Sequence, residues 1–350
     1  MDSARMITSK EDLLLDVKDL RVYYEISGSL GKAVDGVSFD LKKGECIGLV
    51  GESGSGKTTV AKAILKLLPS NAQIESGTIL LKNREITNLD EAEMDRVRWA
   101  EIAMVTQSAM NALDPVSRIS KQMVDTFLAH QKTAVSVKDI LQKCSQLFEM
   151  VGLSRNRIFD FPHQFSGGMR QRVVIAMAIA LSPDLIIADE PTTALDVIMQ
   201  AQIINLLKSL AQGQGISIIM ITHDISIVAE ICHKVAVMYA GKVMEYGNIQ
   251  SIFNTPYHPY TMGLKGAFPT IKELQKSLIS IPGSPPALDN RPYGCGFSAR
   301  CPFSILLCKE EPPGLVETGD NHYAACHRRE RADEFRTQII DIYGTRTRGH

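Results

Sequence analysis

The chain has almost no net charge of either sign: its 350 residues carry 38 lysines and arginines against 39 aspartates and glutamates, a formal −1. No overall field therefore draws it onto nucleic acid or anionic lipid, and any charged patch must be local. It also lacks a long apolar run. The longest, Val173 to Leu181, is bounded by Arg172 and Ser182 and falls well short of the ~20 residues that a membrane-spanning helix needs. A membrane role must come through a partner. The opening MDSARMITSKED holds no apolar segment of the ~7–15 residues that a secretory leader uses. The 7 cysteines are odd in number and gathered late, a poor disulfide framework. Together these absences predict a cytoplasmic protein. What is present, 45% apolar and 22% charged side chains with 25 Gly and 15 Pro, is a globular composition, sufficient for one large domain or two smaller ones.

Residues 13–49 alternate apolar and polar positions, with Leu15, Val17, Leu20 and Val22, then Val37, Phe39 and Leu41, broken by Gly28, Gly31 and Gly44. This pattern predicts an antiparallel sheet with one wet face. Cys46 to Val50 is a short apolar strand running into GESGSGKT, Gly51 to Thr58, after which Val60, Ile64, Leu67 and Leu68 follow at helical spacing. From about 90 to 170 the chain is polar and periodic at 3.6, with few strands after Val105, and Val124, Leu128, Ile140, Leu147 and Val151 are candidate core positions of an inserted helical subdomain. The α/β pattern returns with a buried strand at Leu185 to Ala188, a helix around Ile203 to Leu210, a second buried strand at Ser217 to Ile221 and a hairpin around Gly241. Beyond Gly247 the chain turns to Pro, His, Gly and Cys, which predicts a small loop-rich appendage, and the last fifteen residues read as a loose polar tail.

GxxxxGK(S/T) between a strand and a helix is a phosphate cradle, because glycines let successive backbone N–H groups point inward and the helix start adds partial positive charge. Gly51, Ser53, Gly54, Ser55, Gly56, Lys57, Thr58 and Thr59 are its candidate residues, with Lys57 for the β- and γ-phosphates and the Thr58 hydroxyl for Mg²⁺. LIIADE ends a buried strand with Asp189, suited to hold Mg²⁺ through water, and Glu190, suited to orient or deprotonate the attacking water. Read by itself, such a pair is also what a solvated strand end looks like.

FSGGMRQR, Phe165 to Arg172, lies between these two motifs. With it the sequence resembles the nucleotide-binding subunits of ATP-binding cassette (ABC) transporters over residues 12–250. The resemblance implies a P-loop NTPase (RecA-like) α/β core, an antiparallel β subdomain and a helical insertion at about 90–170. It also implies that Ser166, Gly167 and Gly168 grip the γ-phosphate of ATP held by the other subunit, and a helix N-terminus bearing a hydroxyl is a second anion site. Further positions follow from the same resemblance: Tyr24 stacks on adenine, with Tyr23 a rival by one place; Gln107 touches Mg²⁺; Ala194 to Asp196 cross between subunits; and His223 contacts the γ-phosphate. Met169 stands where many members have Gln, a change typical of one of the two unlike ATPases of oligopeptide-type importers.

TPYHPYT, Thr255 to Thr261, then IPGSPP and GCGFSARC resemble the tail extension of the dipeptide and oligopeptide importer ATPases, placed at 251–335 with a polar tail at 336–350. The resemblance implies an ATP-sandwich dimer with a second ATPase subunit, two transmembrane permeases and a solute-binding protein. It implies no nucleic acid and a place on the cytoplasmic face of the membrane, reached through the permeases. Oligosaccharides and nickel are cargoes of close relatives, and a soluble cassette ATPase working on nucleic acid or ribosomes is the alternative of another class. Cys295, Cys301, Cys308 and Cys326 suggest a metal site that offsets a weak local core. The spacing lacks the tight knuckles of zinc, and the family resemblance implies a [4Fe–4S] cluster; Zn²⁺, reduced thiols or disulfides are the alternatives. His322 and His327 flank Cys326 as substitute ligands. Cys46, Cys144 and Cys232 sit among apolar neighbours, as buried thiols do.

Overall fold

The computed structural model describes residues 12–26, 28–106, 112–130, 135–267, 280–319 and 321–346. They form two compact units, one made of the chain up to Lys42, Cys46–Thr87 and everything from Ile221, the other of Lys43–Glu45 and Asn88–Met220.

In the first unit β1 (Leu13–Ile26) lies between β2 (Ser29–Lys42) and β4 (Ala72–Leu81), with the short β5 (Arg84–Glu85) at the edge, all antiparallel. Val17 faces Phe39 and Val22 faces Val34, and the register slips between Val17 and Leu20, where Asp19 takes a positive φ of 44°. That bulge absorbs the extra residue in the apolar spacing. Leu15, Val17, Leu20 and Val22 are thereby all buried, as the alternation predicts once a bulge is allowed. A second sheet segment carries β3 (Cys46–Val50) parallel to β9 (Lys234–Tyr239). Its next strand is β10 (Lys242–Asn248), paired antiparallel in the hairpin around Gly241. The appendage is less loose than its composition suggests: β12 (His322–Ala324) pairs with β10, and β11 (Val316–Gly319) pairs with β12.

The second unit holds β6 (Ile102–Val105) parallel to β7 (Leu185–Asp189) and, beside β7, β8 (Ser217–Thr222), within which the chain passes to the first unit. Helices Ile119–His130, Val137–Met150, Gly167–Ala178 and Val197–Gln214 complete it, so the inserted helical stretch is present. Its phase differs from the sequence expectation. Met123, Phe127, Cys144 and Phe148 are buried with Ile140 and Val151, whereas Leu128 is exposed and Val124 and Leu147 are only half-buried. Neighbouring apolar residues offer two stripes about 100° apart, and the bulkier phenylalanines take the inside.

Two further expectations are corrected. The helix after the phosphate loop is Lys57–Ile64 and does not reach Leu67 or Leu68. Lys66 turns left-handed (φ 51°) and the Leu67 N–H closes on the Lys62 carbonyl, a stop that Pro69 reinforces. The expected loose tail at 336–350 is helical over 336–346, and 347–350 lie outside the described residues. Ala332–Arg346 is a helix whose Phe335, Ile339 and Tyr343 are buried at i, i+4, i+8, with Phe335 stacked on Phe303 at 4.0 Å.

Candidate functional site

The phosphate loop belongs to the first unit, and its backbone needs glycine at two places. A Cβ on Gly51 would lie 2.1 Å from the Met238 carbonyl oxygen, and one on Gly56, which has φ 104°, would lie 2.4 Å from that of Ala33. Gly56 also opens the helix Lys57–Ile64 without any side-chain cap, and a helix start of this kind favours negative charge near it. The Lys57 ammonium is buried and donates to the carbonyls of Gly51 (2.6 Å) and Glu52 (2.9 Å) and to the Ser55 hydroxyl (3.2 Å). The loop thus holds the cation with its own carbonyls and a hydroxyl. Ser53, Gly54 and Thr58 are exposed, and Ser55 is buried beneath them.

Tyr24 and Tyr23, successive residues of β1, point to opposite faces. The Tyr24 hydroxyl lies 3.5 Å from that of Thr59, one residue past the cradle, while the Tyr23 hydroxyl donates to Asp35 at 3.2 Å with Lys32 over its ring. The tyrosine beside the phosphate loop is Tyr24. His223 is exposed in the bend between β8 and the helix Ile225–Ile231. The bend is set by Asp224, whose N–H donates to the Thr222 hydroxyl (3.0 Å) and whose carboxylate accepts the Ser226 N–H (2.8 Å).

In the second unit β7 delivers a buried Asp189 and then Glu190 in a left-handed conformation, φ 46°. A carboxylate oxygen of Glu190 accepts the Thr193 hydroxyl at 2.7 Å. Asp196 caps the next helix by accepting the Met199 N–H at 2.9 Å, and the Gln200 amide donates to the Leu195 carbonyl at 3.1 Å, so Ala194 to Asp196 form a pinned turn. Val197 and Ile198 beside it are exposed. Ser166 is the N-cap of the helix that begins at Gly167, yet its hydroxyl accepts the Met169 N–H only at 3.4 Å, a weak cap. A Cβ on Gly168 would sit 2.0 Å from the Met199 methyl. Gln107 lies outside the described residues.

All seven cysteines are free thiols. Cys295, Cys301, Cys308 and Cys326 line one cavity of the first unit, together with His258, His327, Phe297, Phe303 and Phe335. Burial pushes Cys295 and Cys326 up to about 11 and Cys301 to about 12, so an apolar wall keeps them protonated. Backbone N–H groups nevertheless face the sulfurs: those of Phe297 and Ser298 toward Cys295, that of Phe303 toward Cys301, and that of Arg328 toward Cys326 at 3.4 Å. Such N–H groups are donors of the kind that thiolate ligands accept, and binding of a metal group there would displace the thiol protons. Among the described residues no group of three or more His, Cys, Asp or Glu side chains is arranged to hold a metal ion. His322 is turned elsewhere, 2.7 Å from the buried Glu245, and the His327 ring nitrogen meets the Glu311 carbonyl at 3.0 Å.

Sequence reasoning missed the residues that dock the extension. Glu245 accepts the N–H groups of Tyr257 (2.7 Å) and His258 (3.0 Å), which explains the turn in TPYHPYT, and Arg300 meets Glu52 (2.6 Å). A carboxylate buried in a strand and an arginine inside a cysteine motif were the available signals.

The family described as "ABC transporter" matches residues 34–193, and "Oligopeptide/dipeptide transporter, C-terminal region" matches 244–308. The chain is 45% identical over 316 residues, 90% of each chain, to the dipeptide transport ATP-binding protein DppD of Lactococcus lactis. It is 44% identical to the oligopeptide transport ATP-binding protein OppD of Escherichia coli, over 90% of this chain and 93% of that one. Among solved structures it is similar to the dimeric bacterial ABC transporter cassette MJ0796, with TM-score 0.61 and 28% identity over 67% of this chain and 99% of that one. The post-hydrolysis state of the same cassette, bound to ADP and Pi, is also similar, with TM-score 0.61 and 27% identity over the same shares.

Proposed function

The chain belongs to the family of ATP-binding subunits of dipeptide and oligopeptide ABC transporters, and from that premise we propose that it hydrolyses ATP to energise a peptide importer. The observation that carries this reading is the likeness to such subunits along nine tenths of the chain, extension included. The phosphate loop supports the enzymatic half: Lys57 and an uncapped helix start form a pre-organised anion site.

The roles of the residues are proposed from their placement and the family resemblance. Lys57 and the loop N–H groups hold the β- and γ-phosphates, and Tyr24 carries the adenine. Thr58, Gln107 and Asp189 would hold Mg²⁺, which when bound neutralises developing phosphate charge. Glu190 orients the attacking water, and His223 meets the γ-phosphate. Ser166, Gly167 and Gly168 serve a nucleotide held by a second cassette. The exposed Val197 and Ile198 beside the Ala194–Asp196 turn support a subunit contact at that edge. The chain works as an ATP-sandwich dimer, and its proposed partner is an unlike ATPase subunit, as Met169 suggests. Two permeases and a peptide-binding protein complete the transporter. Among the described residues no helix is long and apolar enough to cross a membrane, so attachment to the cytoplasmic face is assigned to the permeases. The ATPase unit is proposed at 12–250 and the extension from 251.

For Cys295, Cys301, Cys308 and Cys326 the proposed occupant is a [4Fe–4S] cluster, which when bound ties the extension together through four thiolates and can carry an electron. One zinc ion draws its sulfurs to ~2.3 Å from a single point, whereas a cluster spreads them over several irons. What supports the cluster is the family resemblance together with four cysteines on one cavity. Liposomes bearing both permeases, both ATPases and the binding protein should take up labelled peptide as phosphate is released; phosphate release without uptake would remove the importer reading. Anaerobically purified protein should be brown and contain iron and sulfide. A colourless preparation with stoichiometric zinc excludes the cluster.

A further inference from the structure

Within the first unit the extension reaches the phosphate loop at Glu52, through the side chains of Arg300 and Tyr260. The Arg300 guanidinium, 8% exposed, grips Glu52 with two bonds, Nη1 to Oε2 at 2.6 Å and Nη2 to Oε1 at 3.0 Å. It is held from behind by the carbonyls of Pro282 (2.8 Å) and Ile281 (3.1 Å) and by the Tyr239 hydroxyl (3.1 Å). Glu52 is the second residue of the loop. Its N–H donates to the Tyr260 hydroxyl at 2.9 Å, and its carbonyl accepts the Lys57 ammonium at 2.9 Å. One residue therefore stands between an arginine of the cysteine-rich module and the lysine of the cradle.

The charges make this contact consequential. A carboxylate beside a triphosphate site repels the ligand unless it is neutralised, and a planar guanidinium with two parallel bonds both neutralises and orients it. We propose that Arg300 is a positioning residue for nucleotide binding: it cancels the Glu52 charge and fixes the loop, so that affinity for ATP depends on the folded extension. Cys301 follows Arg300 directly, and both N–H groups donate to the Phe297 carbonyl at 3.0 Å, which places this grip at the wall of the cysteine cavity. The inference rests on Lys57 binding ATP, as proposed above.

The test uses the full-length protein and reads KM and kcat for ATP, binding of a non-hydrolysable ATP analogue and the melting temperature. Arg300→Gln should raise KM and the analogue Kd by about 10- to 100-fold, the range a misplaced binding group produces, with kcat changed less than about 3-fold. Arg300→Lys, which keeps the charge but loses the fork, should fall between. Adding Glu52→Gln to Arg300→Gln should bring KM back toward the wild-type value, because the repelling charge leaves with its neutraliser. A folded Arg300→Gln protein with unchanged KM overturns the proposal, as does a double variant no better than the single one. If Arg300→Gln fails to fold, the proposal stands or falls on Arg300→Lys, where unchanged KM rejects it. Wild-type protein that binds no analogue would reject the ATPase reading itself, a separate outcome.

Discussion

Replacing Glu190 by Gln keeps the side chain's shape and removes its charge. The Thr193 hydroxyl, 2.7 Å away, can donate to the amide oxygen as it does to the carboxylate, so the turn after β7 should survive with a stability change within about 1 kcal/mol. Turnover should not survive: a positioned base contributes about 100-fold or more, which corresponds to about 2.7 kcal/mol of barrier at ~1.4 kcal/mol per tenfold. Glu190→Gly sharpens the comparison. The left-handed backbone at this residue, φ 46°, costs a side-chain-bearing residue about 1 kcal/mol, and glycine relieves it while losing a similar ~0.5–1 kcal/mol through greater freedom when unfolded. Both variants should therefore melt near the wild-type temperature, bind ATP and release phosphate at least ~100-fold more slowly. Phosphate release at saturating ATP, a nucleotide titration and a thermal melt decide the matter. Near-normal release removes Glu190 from the chemistry, and loss of melting temperature or ATP binding in step with the rate makes its role structural.

Tyr24→Ala should raise KM for ATP several-fold while Tyr23→Ala leaves it unchanged, since Tyr24 approaches Thr59 and Tyr23 is engaged with Asp35; equal effects would reject the assignment. Burial holds the His258 pKa down at about 3 against an ordinary 6.5. Between those values the unfolded chain takes a proton that the folded one refuses, so stability falls as pH falls, by about 1.4 kcal/mol per pH unit. That is about 1.6 kcal/mol from pH 6.5 to 5, the slope starting at half its full value at pH 6.5. Urea melts across this range should show the slope in wild type and a flatter one in His258→Gln, whose amide oxygen can still accept the Tyr260 N–H that His258 Nδ1 accepts at 3.0 Å. Identical slopes would place the proton elsewhere.

What could be read from the chain alone is what contiguous residues decide. An apolar pentad, Cys46 to Val50, followed by glycines and Lys57 specifies strand, loop and helix because strand burial, loop curvature and helix start each depend on residues a few places apart. The same holds for LIIADE, for Ser166 ahead of its helix and for the hairpin at Gly241, and the order of these motifs was enough to indicate the family. Where two local answers were nearly equal, tertiary packing chose. The helices Ile119–His130 and Val137–Met150 each carry two apolar stripes, and only the neighbouring elements select Phe127 and Phe148 over Leu128 and Leu147. The stretch 336–350 reads as a polar tail, and only a surface that buries Phe335, Ile339 and Tyr343 makes a helix of Ala332–Arg346. The convergence of four cysteines, and the Arg300 to Glu52 grip across 248 residues of chain, follow from chain reversals that no local period encodes, because a pairwise contact leaves no mark on the sequence between its ends.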